Sequence, residues 1–571
     1  TAGWLLGEPG LINLAFLAMA FTFVAAGAVD AYGLMRDYRI RNMSTAHGSA
    51  RWAKARDLVR CGLMNRTRGL PLPANALPIA KAFGHRDVFL PPSQWLRHFV
   101  MFGPTGSGKS KTFFISMIRS ILARSSCLVY DPKGELFAQT AASAKRAIRL
   151  DLNDPTKSDR WNFIPKCRND PAFACQVAGM MIGIESRRKT NADPFWGDAE
   201  QIALTAILLH IAEVYGEKAI PAFAADFLIS LGENGNDAFG QAMETSPSIY
   251  AKQAYLAFRQ APIQTRGSIL IGLYNKLRPF TLAPARKVTM PPSSKELDLG
   301  CRKIDFTDLR TPGTAIYLVV SEGAADIYKE FIATFLGQAV MEMRLDGINE
   351  PEHPCFVLID EAYQLNVAEV KRISGIGRGR GVGLGLGYQD LPQMYDQYGR
   401  ERANAILGTV MTKIFLPGLD DVTAEYASKQ LGDTTIFSKT FQDFPGKKHD
   451  NTRYAEQKRA LMHASEIRQI AAHSEVLIVS DTAPPIRAAY PPLAVMRRVL
   501  QARRKGSPRE LHLGDIDPVF LLTEAQTPKS KPKEDQEAVV NKVSEIVDKV
   551  VTDAKLEEIL APSTASEAEM E

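Results

Sequence analysis

Residues 103–110 read GPTGSGKS and match the pattern G-x-x-x-x-G-K-[ST] of a phosphate-binding loop. The apolar run FVMF, residues 99–102, predicts a strand before the loop, and apolar residues at helical spacing predict a helix after it. In such a loop, backbone N–H groups surround the phosphates, and we expect Lys109 to contact the β- and γ-phosphates. Ser110 offers a hard oxygen ligand of the kind that Mg²⁺ prefers. The pattern therefore predicts a site for ATP with Mg²⁺.

Two sets of residues belong to this prediction. The predicted nucleotide-binding residues are Gly103, Pro104, Thr105, Gly106, Ser107, Gly108, Lys109, Ser110 and Lys111. The helix after the loop is expected to bury one face, formed by Phe114, Met117, Ile118, Ile121 and Leu122. The loop would thus stand between a core strand and a core helix.

A pair of adjacent carboxylates in PCFVLIDEAYQL, residues 354–365, supplies the second chemical feature. The apolar part of this segment predicts a strand that ends directly before Asp360 and Glu361, and ligands bind at that end of strands in open α/β sheets. Asp360 is predicted to hold Mg²⁺ together with Ser110, and Glu361 to orient or deprotonate the attacking water. Asp131, in SCLVYDPKGEL, is the competing acid, but it has no second acid beside it.

A glycine-rich segment, GIGRGRGVGLGLGYQ, contains two further candidates. Arg378 is predicted to reach a γ-phosphate bound to a neighbouring subunit, because such an arginine finger stabilises the charge of the transition state. Gln389, at the end of the following strand, is predicted to sense the γ-phosphate. The alternatives are an arginine in a solvated loop and an amide that only caps a strand.

Charge and cysteine content limit the class of protein. The chain has 571 residues and a formal net charge of +6, yet residues 523–571 hold 12 acidic and 6 basic side chains. The remainder is therefore strongly basic, which is compatible with a polyanionic partner, although a solvated surface of mixed charge is an equal alternative. Six cysteines are scattered without a C-x-x-C pair, a pattern typical of reduced thiols and not of a zinc site.

The beginning of the chain predicts a membrane anchor. Residues 9–29 contain no charged side chain, and this run is long enough to cross a bilayer. Basic residues follow it up to Arg60, so the positive-inside rule places the rest of the chain in the cytoplasm. A signal peptide is disfavoured because Glu8 stands where the positive region should be, and a buried core helix is the other alternative.

The order of the patterns predicts an α/β fold with a largely parallel, multistranded sheet. Strand patterns stop between residues 170 and 286, where helical spacing prevails, and resume at GTAIYLVV, residues 313–320. The predicted organisation is a transmembrane anchor (1–30), a basic juxtamembrane segment (31–60), a nucleotide-binding domain in two parts (61–169 and 287–505), an inserted all-α domain (170–286), and a flexible acidic tail with a short amphipathic helix (506–571).

Taken in order, the motifs resemble those of the type IV secretion coupling proteins, relatives of the conjugative TraG and TraD ATPases. The matching strings are HGSARWA, GPTGSGKS, DPKGEL, RWNFIP, DPFWGDA, VLIDEA, RGRGVGLGLGYQDLPQMYDQYG, LGDTT and RALMHASEIRQI. By this resemblance, Arg378 corresponds to the family's finger and Gln389 to its sensor. Arg380 stands where an aromatic residue is common, and RALMH lacks the usual proline. The family has two membrane helices, of which the run at 9–29 would be the second.

The resemblance implies a homo-hexameric ATPase with a RecA-like P-loop motor, anchored in the bacterial inner membrane with its bulk in the cytoplasm. Such proteins recruit single-stranded DNA bound to a relaxase, or protein effectors, and deliver them to the type IV secretion channel. Two other functions are compatible with the motifs. One is an FtsK-like DNA translocase, although the polar tail leaves little room for a winged-helix domain. The other is a docking receptor that binds ATP with little turnover, for which Glu361 and Arg378 would not be needed.

Overall fold

The strand predicted before the phosphate-binding loop lies in the middle of an eleven-stranded sheet. The computed structural model describes residues 45–489 apart from gaps, together with a few residues between 18 and 35. The longest gaps are 184–193, 344–352, 366–376 and 442–451, although Val370 and Ile373 within the third are described. The strands are β1 (Leu77–Ala82), β2 (Arg86–Leu90), β3 (Phe99–Phe102), β4 (Ser126–Tyr130), β5 (Arg146–Asp151), β6 (Thr314–Val319), β7 (Cys355–Ile359), β8 (Val382–Tyr388), β9 (Thr412–Phe415), β10 (Asp433–Phe441), β11 (Thr452–Ala460), β12 (Glu475–Ser480) and β13 (Ile486–Ala489).

The large sheet has the order β2-β1-β13-β12-β9-β3-β8-β7-β4-β6-β5. From β9 to β5, every neighbouring pair is parallel. The strands β12, β13, β1 and β2 extend it in antiparallel fashion. The predicted α/β fold with a largely parallel sheet is thus confirmed, but β12, from the string SEVLIVSD, runs antiparallel to β9. Strands β10 and β11 form a separate hairpin.

Helices cover the sheet and fill the long interval between β5 and β6. They are α1 (Ala55–Arg60), α2 (Pro92–Trp95), α3 (Ile115–Ile121), α4 (Glu135–Thr140), α5 (Pro171–Met181), α6 (Pro194–Tyr215), α7 (Ala222–Ser230), α8 (Gly235–Glu244), α9 (Ile249–Phe258), α10 (Ile263–Thr281), α11 (Ala283–Thr289), α12 (Ser294–Asp298), α13 (Glu322–Ala325), α14 (Lys329–Met343), α15 (Leu391–Tyr398), α16 (Arg400–Thr409), α17 (Asp421–Leu431) and α18 (Ala464–Arg468). Between Pro171 and Asp298 the described residues form helices and no strand. The predicted domain boundaries themselves stay a prediction.

The core lies where β3 and its neighbours meet α3. The apolar face predicted for the helix after the loop is buried, with exposures of 0–3% at Phe114, Met117, Ile118, Ile121 and Leu122. One detail differs from a regular α-helix: residues Lys109–Phe114 form a wide turn of the π type before α3 begins. Such turns are rare and occur often at functional sites.

The two ends of the chain lie largely outside the described residues. In the part of the chain that the structure describes, no helix combines the length and the apolar character needed to cross a membrane. Residues 18–25 are helical, but most of the predicted anchor and juxtamembrane segment up to residue 44 is not described. The predicted tail helix, within residues 506–571, also lies outside the described residues. Both assignments stay predictions.

Candidate nucleotide-binding site

The phosphate-binding loop leaves the sheet at the carboxyl end of β3. Gly103 donates its backbone N–H to Tyr388 O at 3.1 Å, which ties the start of the loop to β8. Gly106 and Gly108 have φ angles of +83° and +86°, a left-handed conformation that glycine adopts without steric cost. A Cβ atom at Gly103 would lie 2.7 Å from Ser107 Oγ, so this close approach also requires glycine.

The other residues predicted to bind nucleotide differ in exposure. Those whose side chain or backbone faces solvent are Thr105, Gly106 and Lys111, whereas Pro104 and Gly108 are half-buried and Ser107 is buried. The tip of the loop is therefore open to solvent, while its two ends are anchored in the protein.

Lys109 lies inside the curl of this loop and is only 4% exposed. Its Nζ donates to Gly103 O at 2.5 Å and to Pro104 O at 3.4 Å, and it lies 3.9 Å from Glu361 Oε1. Burial lowers the pKa of the Lys109 ammonium, and the charges of Glu361 and Asp360 act in the opposite direction. The ammonium is thus held between loop carbonyls and a carboxylate, the position from which a P-loop lysine contacts phosphates.

Ser110 and Asp360 contact each other across the gap between the loop and β7. Ser110 Oγ donates a hydrogen bond to Asp360 Oδ2. Burial raises the pKa of Asp360 to about 6, although the hydrogen bond from Ser110 lowers it. A hydroxyl and a carboxylate are hard oxygen donors, so the chemistry of this pair fits Mg²⁺.

Glu361 has a backbone conformation that is unusual for its residue type. Its φ of +53° lies in the left-handed region, which costs about 1–2 kcal/mol for a residue with a Cβ atom. Successive side chains of a regular strand point to opposite faces, so a straight continuation of β7 would separate Asp360 from Glu361. The left-handed turn instead lets Asp360 contact Ser110 and Glu361 approach Lys109.

Gln389 completes this cluster from the end of β8, which lies between β3 and β7 in the sheet. Its Nε2 donates to Glu361 Oε2 at 3.3 Å, and its backbone N–H donates to Gln393 Oε1 at 3.1 Å. The loop, the acid pair and this amide therefore follow three neighbouring strands and lie together at the carboxyl ends of those strands.

Arg378 lies at the opposite, amino ends of these strands. Residues Arg378–Arg380 form a short turn directly before β8, whose seven residues span about 23 Å. Because β8 is parallel to β3, this turn and the loop are at opposite ends of the strands. Arg380 O accepts a hydrogen bond from Arg310 at 3.3 Å, whereas the Arg378 side chain lies outside what the structure describes. The structure brings together Lys109, Ser110, Asp360, Glu361 and Gln389, and it places Arg378 away from them.

Asp131, the competing acid, follows β4 at the same edge of the sheet as Asp360, since Tyr130 pairs with Ile359. Its Oδ2 accepts a hydrogen bond from Phe137 N at 2.8 Å, in the first turn of α4. Burial raises the pKa of Asp131, and backbone hydrogen bonds from this turn lower it. The carboxylate thus contacts a helix terminus, in contrast to the contact between Asp360 and Ser110.

Lys133 is a basic residue near the site to which the sequence patterns assign no role. Its ammonium lies 3.3 Å from Glu322 Oε1, and about half of each side chain is exposed. The pKa of Lys133 is raised because Glu322, and beyond it Glu361 and Asp360, outweigh the effect of burial. The pairing of the strands places Lys133 near the site, because Lys133 follows β4 by three residues and β4 pairs with the strand that precedes Glu361.

Comparison with known proteins identifies relatives that carry the name Protein VirD4. Protein VirD4 of Rhizobium radiobacter is 23% identical over 464 residues, which cover 77% of this chain and 62% of the relative. Protein VirD4 of Agrobacterium fabrum strain C58 is 21% identical over 542 residues, covering 86% of this chain and 76% of the relative. This chain therefore spans less than two thirds of the first of these relatives.

Solved structures show the same fold. The bacterial conjugative coupling protein TrwBdeltaN70, in its unbound monoclinic form, has a TM-score of 0.57 and 16% identity, covering 78% of this chain and 92% of that chain. TrwB in complex with the ATP analogue ADPNP has a TM-score of 0.56 and 17% identity, covering 78% and 93%. TrwB in complex with ADP and Mg²⁺ has a TM-score of 0.54 and 16% identity, covering 80% and 94%.

The family is settled by a match that covers most of the chain. The model of the family described as "Type IV secretory system Conjugative DNA transfer" matches residues 51–491. This range contains the loop, both carboxylates and the sheet that positions them. The predicted resemblance is confirmed, and this chain belongs to the type IV secretory system conjugative DNA transfer family.

Proposed function

We propose that this chain is an ATPase motor that delivers cargo to a type IV secretion channel. The cargo would be single-stranded DNA bound to a relaxase, protein effectors, or both. The observation that carries the proposal is the convergence of Lys109, Ser110, Asp360, Glu361 and Gln389 at one edge of the sheet. Family membership and the nucleotide-bound structures of TrwB support it.

Each residue of the cluster has a proposed part in ATP hydrolysis. The loop N–H groups and Lys109 bind the phosphates, while Ser110 and Asp360 hold Mg²⁺. Bound Mg²⁺ would supply charge neutralisation for the β- and γ-phosphates. Glu361 orients the attacking water and accepts its proton as the bond from water oxygen to the γ-phosphorus forms and the bond from that phosphorus to the β–γ bridging oxygen breaks, with ADP as the leaving group. Gln389, bonded to that carboxylate at 3.3 Å, links it to the γ-phosphate.

Arg378 is the proposed finger, acting on the nucleotide of a neighbouring copy in a homo-hexamer. Its place before β8, opposite the loop, favours action between subunits over action within one chain. A head-to-tail interface would close into a ring. It would bring the turn before β8 of one copy to the phosphate-binding loop of the next.

The proposed organisation follows the predicted segments. Residues 1–30 anchor the chain in the bacterial inner membrane, 31–60 form a basic juxtamembrane segment, and the bulk is cytoplasmic. Residues 61–169 and 287–505 form a RecA-like motor, with an all-α domain at 170–286 and a flexible tail at 506–571. The described helices between α5 and α12 support the position of the all-α domain. A reporter fused after Arg60 should behave as cytoplasmic, and periplasmic activity of that fusion would contradict the orientation.

ATP hydrolysis by the purified full chain, with and without single-stranded DNA, tests the proposal. We expect turnover that DNA stimulates with little sequence preference, and a stimulation that falls steeply with salt, because basic side chains release counterions from the phosphate backbone. Lys109→Ala should lose nucleotide binding and turnover together. Binding of ATP without hydrolysis under all conditions would instead favour a docking receptor.

A further inference from the structure

The turn that contains Glu361 is held by a side chain from outside the cluster described above. Gln397, on α15, donates from its Nε2 to Ala362 O at 2.9 Å and also to Leu365 O. Its Oε1 accepts a hydrogen bond from Tyr388 OH at 2.7 Å. One amide thus connects the backbone after β7 to the buried end of β8.

A second contact holds the same turn from the opposite side. Tyr130, at the end of β4, donates its hydroxyl hydrogen to Gln364 Oε1 at 3.1 Å. The turn 361–365 therefore lies between side chains from β4 and from α15. Both Tyr130 and Tyr388 are fully buried, which fixes the two attachment points in the core.

Helix α15 also contacts the carboxylate of Glu361 indirectly. It begins at Leu391, and its N-cap Asp390, which directly follows Gln389, accepts a hydrogen bond from Gln393 N at 2.9 Å. Gln389 bonds to the Glu361 carboxylate, and Gln397, two helical turns further on, bonds to the backbone of the same turn. Helix α15 thus contacts the backbone of this turn directly through Gln397, and the Glu361 carboxylate only through Gln389, whose backbone N–H donates to Gln393 Oε1 at 3.1 Å.

These contacts matter because the left-handed backbone conformation of Glu361 is unfavourable for a residue with a Cβ atom. A glutamate at a φ of +53° persists only where the surrounding structure enforces it. Without the two bonds from Gln397, the turn can relax toward an extended conformation, which would move the Glu361 carboxylate away from Lys109 and Gln389. A displacement of about 1 Å at such a group can cost about 100-fold in rate.

We propose that Gln397 is a positioning residue for Glu361, which holds the 361–365 turn in its left-handed conformation and so aligns the carboxylate for hydrolysis. This inference rests on the proposed function, because it assigns to Gln397 a part in ATP turnover. Gln397 touches neither phosphate nor water in this role.

Three variants of the full chain test the inference. Gln397→Met keeps the length of the side chain and removes all three hydrogen bonds. Gln397→Lys keeps a donor for the carbonyls of the turn, removes the acceptor for Tyr388 and adds a positive charge. Tyr395→Phe, at a half-buried position of the same helix, removes a hydroxyl that bonds to Asn404 at 3.4 Å and is the matched control.

For each variant, kcat and KM for ATP, the Kd of a non-hydrolysable ATP analogue and the unfolding midpoint are measured at one protein concentration. We expect Gln397→Met to lower kcat about 10- to 100-fold, with KM and Kd within about twofold of the wild type. Gln397→Lys should recover part of kcat, and Tyr395→Phe should leave it unchanged.

The outcomes separate this inference from the proposed function. Wild-type hydrolysis together with an unchanged kcat in Gln397→Met would overturn the positioning role and leave the function intact. A joint loss of unfolding midpoint, analogue affinity and kcat, with no recovery in Gln397→Lys, would also overturn it in favour of a structural role. A wild-type chain that binds ATP without hydrolysing it would contradict the proposed function, and this inference with it.

Discussion

The two ends of β8 differ in what they contribute to the site. At the carboxyl end, Gln389 bonds to Glu361 and the phosphate-binding loop is attached through Tyr388 O. At the amino end, the turn Arg378–Arg380 is one strand length away, about 23 Å. The proposed hydrolytic groups therefore lie together within one chain, whereas the proposed finger lies at the opposite ends of the strands.

The buried, central position of β8 makes this separation informative. All seven of its residues are buried, and it pairs with β3 on one side and β7 on the other. Moving Arg378 to the site of its own chain would require breaking both ladders in the middle of the core, at a cost far beyond what one arginine can return. We therefore expect the proposed finger to act on a neighbouring copy.

The largest expected effect comes from the amino end. Arg378→Ala should lower kcat for ATP about 10³- to 10⁵-fold, by analogy with the finger of GTPases, which is about 4–7 kcal/mol of transition-state stabilisation. Nucleotide binding should be retained, because Lys109 and the loop are intact. Steady-state hydrolysis and analogue binding by the assembled protein measure the two quantities.

Arg380→Ala is the matched control for that variant, since it removes the same charge two residues further along the same turn. It should leave kcat close to the wild-type value. An equal loss in both variants would show that the turn needs positive charge in general, and the assignment of the finger to Arg378 would be wrong.

The next largest effect comes from the carboxyl end. Glu361→Gln should lower kcat about 10²- to 10⁴-fold, because the amide cannot accept the proton of the attacking water. ATP binding should remain, since Glu361 is not expected to contact the nucleotide. Single-turnover hydrolysis by the bound complex is the direct measurement, and a wild-type rate would exclude Glu361 as the base.

The smallest effect is expected from Asp131, the third buried acid at the carboxyl ends of these strands. Asp131→Ala should lower the free energy of unfolding by about 1–3 kcal/mol, because Phe137 N loses its acceptor at the start of α4. The kcat of the folded protein should change little. Denaturant unfolding and ATPase assays separate these effects, and a loss of Mg²⁺-dependent turnover with unchanged stability would favour Asp131 over Asp360 as the metal ligand.

The sequence was sufficient for the features that are local. The loop and the acid pair each follow a short apolar strand directly, so their place at the carboxyl edge follows from strand direction alone. The buried face of α3 follows from helical spacing in the same way.

Features that depend on distant contacts were not predictable. Gln397 donates hydrogen bonds to the backbone of Ala362 and Leu365 because α15 packs beside the end of β7. No pattern in the string LPQMYDQY predicts these contacts. The left-handed Glu361 and the π-type turn at Lys109 are imposed by the surrounding core against local preference. Strand β5 was missed because its residues, RAIRLD, alternate only weakly between apolar and polar.

The central claim is that the phosphate-binding loop of one copy and Arg378 of a neighbouring copy form one site. Complementation between inactive subunits tests it most directly. Arg378→Ala chains keep Lys109 and Glu361, and Lys109→Ala chains keep the finger. When the two are mixed equally in one ring, about one quarter of the interfaces unite an intact loop with an intact arginine.

We predict that this mixture recovers a measurable part of the wild-type ATPase rate. A mixture of Lys109→Ala with Glu361→Gln should recover none, because both lesions lie on the same edge and no interface is complete. If mixed assemblies form and the first mixture stays as inactive as its components, or if both mixtures recover equally, the account of a site shared between subunits is contradicted.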